Sequence, residues 1–232
     1  MDVSSLQALN AARRGRQAAV LVTDLDVGGN RVILEGEIVA GSLGDYVAAA
    51  FRTGKAGAVD VAGRNLFLNV YLPPPRIIVI GAVHISQALG RLAPVAGYDI
   101  TIIDPRTAFA TPERFAGVEL VADWPEDVLL SRPLDPYTAL VAVTHDPKID
   151  DFPVMEALRK NCFYVGALGS RKTHAKRVAR LSGQGVADSA IGRIAAPIGL
   201  DIGAATPPEI AVAILAQIVQ AYRLRGLAPM EQ

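Results

Sequence analysis

Five short runs constrain the fold of this chain most: RIIVIG (76–81), DITIID (99–104), VELVA (118–122), ALVAVT (139–144) and FYVGAL (163–168). Most are solidly apolar rather than apolar at alternate positions. A strand with one wet face alternates. A strand covered on both faces does not, and such strands belong to parallel sheets with helices on each side. Helical stretches fill the intervals at 84–97, 125–131, 151–161 and 170–182, and a last strong one spans 207–225. This alternation predicts a doubly wound α/β fold around a mainly parallel, Rossmann-like sheet.

Upstream the pattern differs. Residues 1–16 include a short polar helix ending in ARRGR, and 18–36 read as a hairpin around a Gly-Gly-Asn turn. Residues 44–55 have helical spacing with Asp45 as the expected N-cap, and 57–72 read as two strands around Ala62-Gly63-Arg64-Asn65. A small α+β domain is therefore expected over 1–72. The prolines at 73–75 lack backbone donors and favour extended chain, so they mark a linker, and the Rossmann-like domain occupies 76–232.

Formal net charge is zero, so no basic surface advertises nucleic acid. No stretch approaches the roughly 18–20 apolar residues of a membrane span, and the chain reads as cytoplasmic. The single cysteine, Cys162, allows neither an intrachain disulfide nor a multi-cysteine zinc site, and its apolar neighbours place it in the core.

In a parallel sheet the carboxyl ends of the strands collect ligands, so the residues there form one candidate set. Gly81, Val83 and Ser86 stand where a dinucleotide fingerprint has G-x-G-x-x-G/A, with valine replacing the glycine that lets backbone approach a pyrophosphate. Asp104 ends the second strand, where an acid reaches a ribose hydroxyl; the alternative is a turn cap beside Pro105. Arg106 can pair with Asp104, bind a phosphate, or stand solvated. His84 lies at a helix start, where the dipole favours a neutral ring or a bound anion, or else it is structural.

In THDPKIDD (144–151), His145 and Asp146 line the cleft while Asp150 or Asp151 caps the next helix; a metal site is the competing reading. In GALGSRKTHAKRV (166–178), Gly166 and Gly169 permit an unusual backbone and Ser170 fits an N-cap. Arg171 and Lys172 oppose the helix dipole at about 0.3–1 kcal/mol each. A bound anion would resolve that conflict, and an exposed basic turn is the alternative. Thr206, Pro207 and Glu209 form a capping box, after a loop whose Gly199 and Gly203 could offer backbone donors.

Together IGAVHISQAL, DPRTAFATPERF, THDPKIDD, YVGALGSRKTHAKR and PIGLDIGAATPPEIAVAILAQI resemble the XdhC/CoxI family of molybdoenzyme maturation factors, in order over about 76–222. The resemblance implies a cytosolic, commonly dimeric protein that is not itself a catalyst. It would bind molybdenum cofactor, as molybdopterin or its nucleotide-extended form. It would protect that cargo while a cysteine desulfurase installs the terminal sulfur, and help insert it into a client molybdenum hydroxylase of the xanthine- or CO-dehydrogenase kind. The cleft residues would then be Gly81, His84, Asp104, Arg106, His145, Asp146, Gly169, Ser170 and Arg171, completed by Gly199 and Gly203. No resident metal is expected. Two departures stand out. The family's G-A-G-H-V-A turn carries Val83 and Ser86 here, and residues 1–72 lack the Ser-Ser-Pro and Gly-Gly-Cys segments of longer members. Two rival readings remain: an NAD(P)-dependent oxidoreductase, and a ligand-free interaction module.

Overall fold

The computed structural model describes residues 1–225; residues 226–232, expected to close the second domain, lie outside them. Two compact units divide between Pro73 and Pro74. In the first, α1 (Val3–Arg14) precedes β1 (Ala19–Asp24) and β2 (Asn30–Leu34), then come α2 (Ser42–Thr53), β3 (Gly57–Val61) and β4 (Arg64–Tyr71). The strands form an antiparallel sheet in the order β2-β1-β4-β3. Both hairpins expected from the turn residues are present. Gly28 and Gly29 take positive φ before β2, and Ala62 and Gly63 do so between β3 and β4. Two consecutive positive φ values match the right-handed twist of the paired strands. Val20, Val22, Ile33, Val47, Ala50, Leu66 and Leu68 form the core under α2. Asp45 does not cap α2. The helix begins at Ser42, with Gly41 at the N-cap and φ of 71°, so Asp45 falls within the first turn.

The second unit contains β5 (Arg76–Ile80), α3 (His84–Val95), β6 (Asp99–Ile103), β7 (Glu119–Val121), α4 (Pro125–Ser131) and β8 (Thr138–Ala142). It continues with α5 (Pro147–Arg159), β9 (Tyr164–Ala167), α6 (Arg171–Gly183), α7 (Asp188–Ile191), β10 (Ile194–Ala195) and α8 (Pro207–Leu224). The six strands run parallel in the order β10-β9-β8-β5-β6-β7. Counted from β5, that is 3-2-1-4-5-6 from the β7 edge, the Rossmann order. The apolar runs have the anticipated cause. Ile77 and Val79 pack on one side with Leu89 of α3 and Ile214 of α8, while Ile78 and Ile80 pack on the other with Val128 of α4 and Val154 of α5.

Two elements escaped the sequence reading: α7 is four residues long and β10 two, too short for periodicity to register. One boundary moved. α5 starts at Pro147 rather than 151, with Asp146 as the cap whose carboxylate accepts from Lys148 N–H at 3.0 Å. Asp-Pro at N-cap and N1 is a strong helix start. Asp150 and Asp151 therefore lie inside the helix, and neither caps it.

Candidate functional site

The chain changes direction across the sheet between β5 and β8, and the crevice outside their carboxyl ends is where this topology places ligands. Gly81 leaves β5 with φ of 120°. A Cβ there would meet Thr144 Cγ2 at 2.9 Å and Thr144 N at 3.2 Å, so only glycine fits between the β5 and β8 ends. Val83 occupies the N-cap of α3, and no side chain caps that helix. Its first N–H groups and the positive dipole end thus face the switch point without a protein acceptor from any cap. His84, the first residue of α3, is exposed. Ser86 is buried and its hydroxyl donates back to the Gly81 carbonyl, so the loop is braced from within the helix.

Asp104 follows β6 and is wholly buried, with 0% exposure. Its Oδ1 accepts from Arg106 N–H and Nε at 2.9 Å each; its Oδ2 accepts from Ala82 N–H at 2.7 Å and Arg106 Nη2 at 2.8 Å. Burial alone would raise its pKa, but these donors outweigh burial and hold the carboxyl below its ordinary value. Both oxygens are therefore spent on the protein, and one of them fixes the loop between Gly81 and Val83. The guanidinium of Arg106 also stacks over the Phe109 ring, 4.7 Å from its centroid. It feels the negative charges of Asp150 and Asp146, which places it over the same crevice.

His145 leaves β8 with φ of 64° and is exposed. Asp146 is occupied in capping α5. After β9, Gly169 has φ of 140° and Ser170 caps α6 by accepting from Thr173 N–H at 3.2 Å. Arg171 and Lys172 are exposed in the first turn. Gly166, expected in an unusual backbone, lies instead within β9, where a Cβ would collide with Ile198 at 2.7 Å. Ser170→Ala should cost about 1 kcal/mol in urea unfolding, and Ser170→Asp should restore most of it by again accepting that N–H.

β6, β5, β8 and β9 are neighbours, so Asp104–Arg106, Gly81–His84, His145–Asp146 and Gly169–Arg171 share one edge. Gly199 and Gly203 follow β10, beyond β9. Gly199 lies against α8, where a Cβ would meet Ala213 Cβ at 3.1 Å, and its N–H donates to Gln217 Oε1 at 2.9 Å. That donor is engaged within the protein. Gly203 is exposed in the loop. Glu209 reaches back to the N–H groups of Ala205 and Thr206 at 2.9 Å each, completing its half of the capping box. Cys162 is buried, and burial pushes its thiol up to about 12. Among the described residues no group of three or more His, Cys, Asp or Glu side chains is placed to hold a metal, and no helix is long and apolar enough to cross a membrane.

Two residues at this edge, His174 and Arg177 of α6, were not singled out from sequence, and a third, Asp150 of α5, was read as a cap or metal ligand but is a buried residue inside the helix. Asp150 and Arg177 are 1% and 2% exposed, and each keeps polar atoms without a partner. Burial, opposed by the Thr144 hydroxyl, the Arg177 charge and the backbone N–H groups of Thr144 and His145, pushes the Asp150 carboxyl up to about 6. The available signal was the helical phase. Asp150 adjoins buried Ile149 on α5, and Arg177 stands one turn before buried Leu181 on α6.

Strand order and the glycine turn after β5 define a Rossmann-type domain. The chain belongs to the XdhC family: the model of the XdhC Rossmann domain matches residues 77–218. It is 33% identical over 157 residues to a probable subunit of xanthine dehydrogenase from Bacillus subtilis, a match covering 67% of this chain and 46% of that protein. It is 29% identical over 155 residues to the molybdenum cofactor insertion chaperone PaoD of Escherichia coli, covering 66% of this chain and 42% of PaoD. The chain thus spans under half the length of these curated relatives. A crystal structure described as a xanthine dehydrogenase from Bacillus halodurans superposes with a TM-score of 0.66 at 25% identity, over 99% of this chain and 71% of that one.

Proposed function

We propose that this protein binds molybdenum cofactor as cargo, shelters it while a cysteine desulfurase sulfurates it, and delivers it to a client molybdenum hydroxylase. The observation that carries this reading is the uncapped N-terminus of α3 at the Rossmann switch point, with Arg106 beside it. Helix N-termini attract phosphates, and both forms of the cofactor carry one at the end of a pterin. Four of the edge groups seat the cargo: the Gly81 turn, His84, Arg106 and the Gly169–Arg171 loop. Asp104 acts through its hold on Ala82 and Arg106. The protein works as a homodimer in the cytoplasm and catalyses no step of its own.

The NAD(P) reading draws less support. The acid that would take a ribose hydroxyl is already filled by Arg106 and Ala82. To test the proposal, the purified chain is mixed with molybdenum cofactor released from a molybdoenzyme, and bound cofactor is measured after gel filtration. The expected result is stoichiometric retention, followed by transfer to apo molybdenum hydroxylase. Passage of all cofactor in the small-molecule fraction at tens of micromolar protein would overturn it.

A further inference from the structure

Asp150 Oδ1 accepts from the Thr144 hydroxyl at 2.7 Å, while Oδ2 is buried without a partner. Arg177 Nη2 donates to the Leu168 carbonyl at 3.2 Å, while Nε and Nη1 are buried without partners. His174, one turn earlier on α6, likewise has an unpartnered buried Nδ1. Asp150 and Arg177 feel each other's charge, yet no ion pair closes between them. The next cation along α6 is not available to either, because Arg180 grips Asp151 at 2.6 and 3.0 Å. Interiors satisfy nearly all their polar groups, so a separated carboxylate and guanidinium with open positions call for a bridging partner. The partner's location follows from the strands. Thr144 and Leu168 sit just past β8 and β9, so the cluster lies at the ligand-binding edge and beside the switch point.

We propose that Asp150 and Arg177 receive the 2-amino-4-oxopyrimidine edge that pterin and guanine rings share. That edge presents an amino group and an adjacent ring N–H, which a carboxylate accepts, next to a carbonyl oxygen, which a guanidinium supplies with protons. Charge-assisted bonds of this kind are strongest away from water. This inference rests on the proposed function and assigns the two ends of the cargo. The ring edge goes to the β8–β9 ends, and the phosphate goes to the α3 N-terminus at β5. Adjacent strands are about 4.8 Å apart, so the two positions lie roughly 5–10 Å from each other, the reach of an elongated ligand. A second phosphate at the cluster would meet the Asp150 carboxylate, so anion binding there is disfavoured.

The test titrates the 232-residue wild-type chain, Asp150→Asn and Arg177→Gln with four probes: released molybdenum cofactor, pterin-6-carboxylate, GMP and inorganic phosphate. Circular dichroism and melting confirm that each variant folds. Both variants should weaken cofactor binding and the better of the two ring probes at least tenfold, and leave phosphate within twofold. The stronger ring probe identifies the source of the edge. Wild-type cofactor binding that both variants retain overturns the inference and leaves the proposed function standing. A wild type that binds no cofactor overturns the proposed function, and the pterin and GMP arms still decide the edge. Absence of both ring probes from the wild type at millimolar concentration, with only ordered water in the cluster of a crystal, overturns the edge.

Discussion

Asp150→Asn is expected to stabilise the free protein by about 2 kcal/mol at pH 7.5. Burial lifts the Asp150 carboxyl from an ordinary 3.8 to about 6, against the pull of Thr144 and Arg177. The folded state therefore prefers the protonated acid. Stability linked to that preference is fully present below about pH 4 and is lost as pH rises through about 6. With about 1.36 kcal/mol for each unit, the ionised form carries a penalty of roughly 3 kcal/mol at pH 7.5. Asparagine has nearly the same shape, keeps an acceptor for the Thr144 hydroxyl and never ionises. Its amide N–H₂ replaces an oxygen that has no partner, which returns about 1 kcal/mol of the gain. Urea unfolding between pH 4 and 8 checks the expectation. The variant should match or fall slightly below wild type at pH 4 and exceed it by about 2 kcal/mol at pH 7.5. A difference that stays flat across this range would mean that Asp150 already has its partner in the free protein. A chain that retains so costly a carboxylate at the proposed cargo edge fits a site where stability is held back for binding. The stabilised variant is also the one expected to lose the ring edge.

The Rossmann architecture was legible because both sheet faces are covered, and RIIVI and TALVA record that covering directly. Turn chemistry was equally readable where glycine and asparagine demanded it, at Gly28-Gly29-Asn30 and around Gly63. The site was legible only in outline. Position after a strand pointed to Gly81, Asp104, His145 and Gly169, because the end of a parallel strand is a topological address. The partners of a side chain have no such address. Asp104 and Arg106 are two residues apart, and pairing was one of the readings available, but the N–H of Ala82 on the same carboxylate joins residues 22 apart. Asp150 and Arg177 sit on different helices, and nothing local to either reveals that they approach without meeting. The misplaced start of α5 made this worse. A start at 151 makes Asp150 or Asp151 a cap, whereas the Asp146-Pro147 start puts Asp150 inside the helix on its buried face.

The opposite electrostatic sign is expected two strands away, at Asp104. There the carboxylate is ionised and filled, with four donors on its two oxygens, and its pKa lies below the ordinary value. Asp104→Ala removes the acceptor from the buried Ala82 N–H and from the Arg106 guanidinium together. Breaking a buried pair from one side costs about 3–5 kcal/mol. Arg106 is 31% exposed and can turn part of its charge to water, so the lower end, about 3 kcal/mol, is expected. The loss should not be confined to stability. With Ala82 released, the turn between Gly81 and Val83 no longer presents α3 in one orientation, and cofactor retention should fall along with the melting temperature. Because the folded pKa is depressed, the contribution of Asp104 is fully present above the unfolded pKa near 4 and is lost only as pH falls through the folded value. The deficit of the variant should therefore stay constant from pH 5 to 8 and narrow only in acid, in the range where the Asp150→Asn difference has already vanished. The same urea series, run on both variants, separates a carboxylate that braces the loop from one that is held open for a ligand. Parallel pH slopes for the two would show that the two aspartates share one environment, and would overturn the division of roles between them.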